Sequence, residues 1–285
     1  MGACAPVVAR VPLPRTLLRG ARRPQIALVG LPRTGKSTIF QAASSTSVEA
    51  GALAGSALSF STCQVNIGLE QAALVDLPPL KTFHDLEDAD RLLLTALLDG
   101  AAGFKAPDLL IQVVDATALE PNLAFAQELC QLGKPLVIAL NRLDEAREKG
   151  IYINVAALSE ALGVPVVPTV AHMGKGIGSL FETALELLRA GRCPLSQSPG
   201  PHLRKALAPL NAILDQPAVE VAFRVPRSLL LTQIARGETW FAAEMARRFP
   251  ALVPAVEAAR DEAARQLPRP LAEEIFADRH YRAAA

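Results

Sequence analysis

Short apolar runs alternate with longer segments of helical periodicity over residues 25–190. Buried parallel strands are nearly continuous runs of aliphatic residues, whereas the apolar positions of a helix recur every three to four residues. The runs predict strands at residues 25–29, 72–76, 109–115, 135–141 and 164–170, with an edge strand at 60–68. The periodic segments predict helices at residues 36–44, 88–103, 119–132 and 177–190. Because helices separate these strands, we expect a doubly wound, mostly parallel α/β sheet with helices on both faces.

This alternation stops at residues 191–202, which are rich in Gly, Pro and Ser. Such a segment is typical of a linker between domains. Beyond it, helical periodicity recurs, and one short stretch has the alternation of a strand. The helices are predicted at residues 227–235, 238–249, 254–267 and 270–282, and the strand at 219–225. We therefore predict an α/β domain over residues 24–190 and a small all-α domain over residues 203–285.

The amino-terminal end of the chain has a different composition from the rest. Residues 1–23 contain five arginines, three prolines and no acidic residue. This composition is more typical of a mobile tail than of a packed element. We predict a flexible basic leader over residues 1–23.

Charge and composition narrow the classes of function. The 285-residue chain has 29 Lys plus Arg against 28 Asp plus Glu, a net charge of +1, so no overall field attracts nucleic acid or an anionic membrane. The apolar runs are far shorter than the roughly 20 residues that span a bilayer. The four cysteines stand apart without a CxxC pair, so we expect neither disulfides nor a zinc site. We predict a cytoplasmic protein without a membrane span or a nucleic-acid partner, whose specificity comes from a local site.

Residues 30–37 read GLPRTGKS and match the phosphate-binding pattern GxxxxGK[ST]. The match lies between a predicted strand and a predicted helix, which is the context that this motif requires. Its glycines allow backbone N–H groups to turn toward a phosphate, and the positive helix end attracts the same anion. We expect Lys36 to contact the β and γ phosphates and Ser37 to ligate magnesium. The predicted phosphate-binding residues are Gly30, Arg33, Thr34, Gly35, Lys36, Ser37 and Thr38.

Two further motifs extend this predicted site. Asp76 ends the strand at 72–76, where a phosphate-loop protein places a carboxylate for magnesium. Asn141, Arg142 and Asp144 belong to the sequence NRLD, an NxxD motif directly after the strand that ends at 141. An aspartate there accepts two hydrogen bonds from the edge of guanine, and adenine offers no such pair of donors. We therefore predict GTP or GDP as the ligand, together with magnesium at Ser37 and Asp76.

Several short motifs accompany the phosphate loop at the ends of the predicted strands. They are Val75-Asp76-Leu77-Pro78, Pro107-Asp108, Val113-Val114-Asp115-Ala116, Asn122-Leu123, Ala139-Leu140-Asn141 and Val164-Pro165-Val166-Val167-Pro168. With the loop, they resemble the cytosolic GTPase of FeoB-type ferrous iron transporters over most of residues 25–188. The segment Ile275-Phe276-Ala277-Asp278-Arg279-His280-Tyr281 is more faintly similar to the helical domain of that family.

The resemblance implies properties that composition cannot give. It implies a Ras-like P-loop GTPase fold followed by a helical regulatory domain, and guanine nucleotide binding coupled to iron(II) uptake. It also implies a membrane iron-transport subunit as partner, at the inner face of the membrane. Ala171 and His172 occupy the place of the family's pair that backs the guanine base, so the backbone of Ala171 is expected to contact the base.

The phosphate loop departs from this family at Arg33. Family members carry there an Asn that helps to hold potassium, whereas a loop with Arg resembles that of guanylate-binding proteins, in which the arginine acts on the transferred phosphate. A guanidinium bonded to phosphate oxygens supplies positive charge without a monovalent ion. We expect Arg33 and Lys36 to be the catalytic residues. The alternative is that Arg33 is a solvent-exposed arginine at the rim of the loop.

The two switch segments also differ from the family. Ala57 stands where a magnesium-binding Thr is expected, and a methyl group cannot ligate magnesium, although Ser56 or Ser59 could substitute by a shift in register. Pro79 replaces the Gly whose N–H senses the γ phosphate, and proline has no such donor. These changes weaken the coupling of GTP to the switches more than nucleotide binding itself.

The sequence therefore leaves two main functions open. The first is a slow GTPase that resembles the cytosolic regulatory part of a ferrous iron transporter, either as a separate paralogue or as an excised part. The second is a degenerate GTPase, a regulatory module that binds the nucleotide without hydrolysing it. A third option, an ATPase, would require Asp144 to be idle.

Overall fold

The computed structural model describes residues 23–53, 59–80, 83, 88–101, 103–194 and 199–284. Within them, a seven-stranded sheet has the order β2-β3-β4-β1-β5-β6-β7. The strands are β1 (Gln25–Val29), β2 (Glu49–Ala52), β3 (Ser59–Ile67), β4 (Glu70–Asp76), β5 (Leu109–Asp115), β6 (Leu136–Asn141) and β7 (Val166–Pro168). β1 pairs in parallel with β4 and β5, and β6 continues the parallel sheet to β7, whereas β2 and β3 are antiparallel. The predicted mostly parallel sheet is thus confirmed.

Six helices of the described residues cover the two faces of this sheet. They are α1 (Lys36–Ala43), α2 (Asp88–Asp99), α3 (Leu119–Cys130), α4 (Leu143–Glu148), α5 (Val155–Leu162) and α6 (Ile177–Ala190). Alternate residues of β5 contribute to two separate cores, Leu110 and Val114 on one side and Ile111 and Val113 on the other. The first core includes side chains of α2 to α5, and the second includes those of α1 and α6. Burial on both faces explains the continuous apolar runs of these strands.

The carboxyl-terminal part of the chain is helical and has a third core. Its helices are α7 (Pro201–Ala206), α8 (Ala208–Leu214), α9 (Pro217–Phe223), α10 (Arg227–Arg236), α11 (Thr239–Arg248), α12 (Val253–Gln266) and α13 (Leu271–Ala284). The strand predicted at 219–225 is wrong, because residues 217–223 form α9. Val219 and Phe223 lie four residues apart on one buried face of that helix, and Pro217 stands at its first turn.

Parts of the predicted domain organisation lie outside the described residues, namely residues 1–22 of the leader and residues 195–198 of the linker. Within the part that is described, no helix combines the length and the apolar character that crossing a bilayer requires.

A buried ion pair joins the helical part to the α/β part. Arg279 on α13 places Nη1 2.7 Å from Oε1 of Glu128 on α3, and both side chains are buried. The other carboxylate oxygen of Glu128 accepts a hydrogen bond from the backbone N–H of Phe83. The carbonyl of Phe83 accepts hydrogen bonds from Gln233 and Arg236 on α10. Phe83, which lies between β4 and α2, is therefore anchored to both parts of the chain.

We expect Arg279→Met to lower the free energy of unfolding by about 3–5 kcal/mol, because it leaves the buried carboxylate of Glu128 without its cation. Urea unfolding followed by circular dichroism measures this loss. The matched control is Arg247→Met, since Arg247 pairs with Glu244 on an exposed helix face. The control should keep the wild-type midpoint. Equal midpoints for the two variants would contradict the role given to Arg279.

Candidate functional site

The loop between β1 and α1 wraps tightly around the end of the sheet. Gly30 has φ +152°, and a Cβ there would lie 2.7 Å from the carbonyl oxygen of Val113 on β5. Lys36 is buried, and its Nζ donates to the carbonyl of Gly30 at 3.2 Å. Burial lowers the pKa of Lys36, and the negative charge of Asp76 opposes this shift. The loop therefore closes around a lysine amine that has little water around it.

Ser37 and Asp76 form a pair of hard oxygen donors beside this loop. The hydroxyl of Ser37 donates to Oδ2 of Asp76 at 2.8 Å. The other oxygen, Oδ1, is buried and has no hydrogen-bond partner among the described residues. Burial raises the pKa of Asp76, whereas the hydrogen bond from Ser37 and the charge of Lys36 lower it. A buried carboxylate oxygen without a partner and a neighbouring hydroxyl fit a magnesium ion, which prefers oxygen ligands.

Asn141 connects three loops at the carboxyl ends of the strands. Its Nδ2 donates to the carbonyl of Thr34 at 3.0 Å. Its Oδ1 accepts hydrogen bonds from the backbone N–H of Ala171 at 3.0 Å and from the hydroxyl of Thr169 at 3.4 Å. Asn141 is buried, so its amide holds the phosphate loop against the segment that follows β7. In this arrangement Asn141 and the N–H of Ala171 bind each other.

Asp144 lies at the start of α4, and its two carboxylate oxygens have different surroundings. Its Oδ1 is buried and accepts no hydrogen bond from the described residues, and its Oδ2 lies 3.5 Å from Nε2 of His172. A buried acceptor is normally satisfied, so Oδ1 marks a place where a ligand with N–H donors would be stabilised. No side-chain role for His172 follows from its residue type or its spacing, and its contact with Asp144 becomes visible only in the structure.

The remaining predicted residues lie around the same edge. Thr34 is buried, and its hydroxyl donates to the carbonyl of Leu31 at 3.0 Å. Thr38 is exposed on the first turn of α1, and the side chain of Arg33 is exposed as well. Arg142 turns its guanidinium to the carbonyl of Arg33 at 2.7 Å. The structure thus brings the phosphate loop, Asp76 and the NxxD motif to one edge of the sheet.

The switch residues singled out in the sequence are only partly described. Ser56 and Ala57 lie outside the described residues, and Ser59 is the first residue of β3. Pro79 follows β4 by three positions, between the buried Leu77 and Leu80. Two residues that contact the NxxD motif were not predicted as parts of the site. They are Asp115, whose Oδ2 lies 3.3 Å from Nη1 of Arg142, and Thr169, whose hydroxyl donates to Asn141. Asp115 ends a predicted strand in the same way as Asp76, so the same signal would have found it.

The sequence of the chain is similar to those of FeoB proteins. The family model FeoB_N, described as Ferrous iron transport protein B, matches residues 24–184. The Fe(2+) transporter FeoB of Escherichia coli (strain K12) is 38% identical over 159 residues, 54% of this chain and 20% of that protein. A Fe(2+) transport protein A/Fe(2+) transporter FeoB fusion protein of Porphyromonas gingivalis is 33% identical over 163 residues, 57% of this chain and 19% of that protein. The chain therefore spans about a fifth of the length of the curated relatives it matches.

Solved structures match both the α/β part and the helical part. A mutant NFeoB of S. thermophilus bound to GDP aligns with a TM-score of 0.81 and 23% identity, over 92% of this chain and 97% of that chain. The cytosolic domain of L. pneumophila FeoB aligns with a TM-score of 0.72 and 24% identity, over 91% of this chain and 98% of that chain. At these identities the likeness establishes the fold.

We expect Gly35→Ala to lower the free energy of unfolding by about 2–5 kcal/mol. Gly35 has φ +95°, and a Cβ there would lie 2.3 Å from Nδ2 of Asn141, whose hydrogen bond to Thr34 would be lost. The control is Gly150→Ala, because Gly150 also has a positive φ of +74° but has open space around the added methyl group. At Gly150, backbone strain alone should lower the free energy of unfolding by about 1–2 kcal/mol. Equal losses for both variants in urea unfolding would show that the close approach to Asn141 is unimportant.

Proposed function

The chain belongs to the FeoB_N family of ferrous iron transport proteins, and from this membership we propose that it binds guanine nucleotides and hydrolyses GTP slowly. We propose further that it acts as the cytosolic regulatory part of a ferrous iron transport system, with a membrane iron-transport subunit as its partner at the inner face of the membrane. Residues 24–190 would form the G domain and residues 203–285 a helical regulatory domain.

The observation that carries this proposal is a pair of buried carboxylate oxygens at one edge of the sheet, neither of which has a hydrogen-bond partner in the described part of the chain. Oδ1 of Asp76 lies at the end of β4, beside the phosphate loop, and Oδ1 of Asp144 lies in the first turn of α4. One acceptor suits a cation that accompanies phosphates, and the other suits the N–H groups of guanine. Their combination with a phosphate loop supports a guanosine phosphate as the ligand.

The residues of this chain would divide the binding of the nucleotide between them. The backbone N–H groups of the loop and the amine of Lys36 would bind the β and γ phosphates. Ser37 and Asp76 would hold magnesium, which neutralises charge on the phosphates when bound. Asp144 would accept hydrogen bonds from the guanine edge, and Asn141 would keep the loops in place.

The proposed reaction is in-line attack of water on the γ phosphorus. The bond from the water oxygen to phosphorus forms and the bond from phosphorus to the β–γ bridging oxygen breaks. GDP leaves with the electron pair of the broken bond, and a proton of the water passes to an oxygen of the released phosphate. Arg33, which is exposed at the loop, would stabilise the charge on the transferred phosphoryl group. Among the described residues of the site, none is an evident general base, so we expect slow turnover.

A second candidate function is nucleotide binding without useful hydrolysis. Pro79 supports it, because a proline lacks the N–H that would sense the γ phosphate at this position. Such a module would distinguish GTP from GDP only by how tightly it binds each nucleotide, without hydrolysing GTP.

Base selectivity tests the proposed ligand. In calorimetric titrations with magnesium, we expect GDP to bind at least about 100-fold more tightly than ADP, because adenine cannot satisfy Asp144. Asp144→Asn should weaken the binding of GDP by about 10–100-fold. The same variant should favour the binding of xanthosine diphosphate, because a ring oxygen of xanthine accepts a hydrogen bond from the amide. Glu148→Gln, an exposed acid on the same helix, is the control and should change neither affinity. Equal binding of GDP and ADP would overturn guanine selectivity.

Phosphate release distinguishes the two candidate functions. We expect the wild-type chain to turn over GTP faster than Lys36→Ala does. Its turnover should be equal in potassium and sodium salts, and Arg33→Ala should lower the turnover about 10-fold or more. A strong dependence on potassium would contradict the role of Arg33. Wild-type turnover equal to that of Lys36→Ala would leave only the binding module.

A further inference from the structure

A cavity of about 610 Å³ lies between α2 of the α/β part and the helices α9 and α11 of the helical part. Cavities of about 300–1,000 Å³ accommodate small organic ligands. None of the described residues that line it belongs to the predicted nucleotide site. The proposed function therefore gives this cavity no role.

The wall of the cavity is largely aromatic and aliphatic. Leu94, Phe223 and Phe241 line it and are themselves buried. The ring centroids of Phe223 and Phe241 lie 6.1 Å apart in a stacked arrangement, and Trp240 meets Phe241 edge-on at 4.9 Å. Trp240 and Leu92 also line the cavity, yet they are 43% and 39% exposed to solvent. A ligand with an apolar body would be stabilised here, because it would remove the surface of these two side chains from water.

Three arginines line the cavity, and acids of the protein neutralise two of them. Nη2 of Arg91 lies 3.0 Å from Oε1 of the buried Glu238. Arg248 forms an ion pair with Glu244 on its own helix. The third arginine, Arg224, follows α9 directly and is exposed. Within the described part of the chain, the guanidinium of Arg224 forms neither an ion pair nor a hydrogen bond.

Two acids also line the cavity, and each has another cation close to it. Oδ1 of Asp88 lies 2.8 Å from Nη1 of Arg91. Burial lowers the pKa of Lys134, and Asp99 is one of the acids whose charge opposes this shift. The cavity therefore combines an apolar wall with the charge of Arg224, which no acid of the described residues neutralises.

We propose that this cavity binds a small amphipathic anion, an aromatic acid whose ring packs against Trp240 and whose acidic group pairs with Arg224. Aromatic side chains supply a large apolar contact area to such a ring. The guanidinium of an arginine presents several donors in a planar fork that matches the oxygens of an acidic group. This site is separate from the nucleotide site, so the inference does not depend on the proposed function.

The fluorescence of Trp240 reports on this cavity, because it is the only tryptophan of the chain. The probes are anilinonaphthalene sulfonate, an aromatic anion, and phenylnaphthylamine, a neutral molecule with the same rings but no sulfonate. Each is titrated into the full chain with GDP and magnesium in excess, which keeps the probes out of the nucleotide site. We expect both probes to bind and to accept energy from Trp240.

Two variants separate the charge from the apolar wall. Arg224→Gln should weaken the binding of anilinonaphthalene sulfonate about 10-fold and leave the binding of phenylnaphthylamine unchanged. Its control is Arg265→Gln, an exposed arginine on α12, which should change neither affinity. Thr95→Phe places a ring in the cavity from an exposed position of α2 and should abolish energy transfer to both probes. Ala258→Phe, at an exposed position of α12 outside the cavity, should not.

Four outcomes would overturn the inference. The first is the absence of energy transfer from Trp240 to the probes in the wild-type chain, and the second is transfer that persists in Thr95→Phe. The third is an equal affinity of the wild type and Arg224→Gln for anilinonaphthalene sulfonate. The fourth is an equal loss of both probes in Arg224→Gln, which would show that Arg224 shapes the cavity instead of pairing with the anion.

Discussion

The amide of Asn141 is the contact on which the geometry of the site depends. It is buried, and both of its polar atoms are satisfied by backbone groups from different loops. Because a buried amide that loses a partner costs about 1–3 kcal/mol per unsatisfied group, the three loops are stable only in this mutual arrangement. The same amide lies where a Cβ on Gly35 would be, and it accepts the N–H of Ala171. In this structure the side chain of Asn141 therefore holds protein groups together at the predicted nucleotide site.

Much of the fold could be predicted from the sequence because its signals are local. The core strands are apolar runs buried on both faces, and the helices between them have clear periodicity. β2 gave no signal, since Glu49-Ala50-Gly51-Ala52 has no apolar alternation and forms by pairing with β3. α5 was also missed, although Asn154 caps its amino end and Gly163 ends it. α9 was mistaken for a strand because a short segment with Val219, Val221 and Phe223 satisfies both periods.

The motifs of the site could be predicted from the sequence, but the contacts between their side chains could not. The phosphate loop, Asp76 and the NxxD motif are fixed patterns with known spacing, so their meeting at one edge could be expected from parallel strands. The interactions that tune the site depend on pairs distant in sequence, such as Arg142 with Asp115 and His172 with Asp144. No spacing rule predicts which of two neighbouring side chains turns toward the ligand and which toward the protein.

The anchoring of Phe83 has a consequence for the path of the chain between β4 and α2. Its ring is fully buried, its N–H is bound to α3, and its carbonyl is bound to α10. The connection is therefore divided into two lengths that end at a common fixed point. We expect an inserted residue between β4 and Phe83 to leave Phe83 bound to α3 and α10, so that α2 keeps its position.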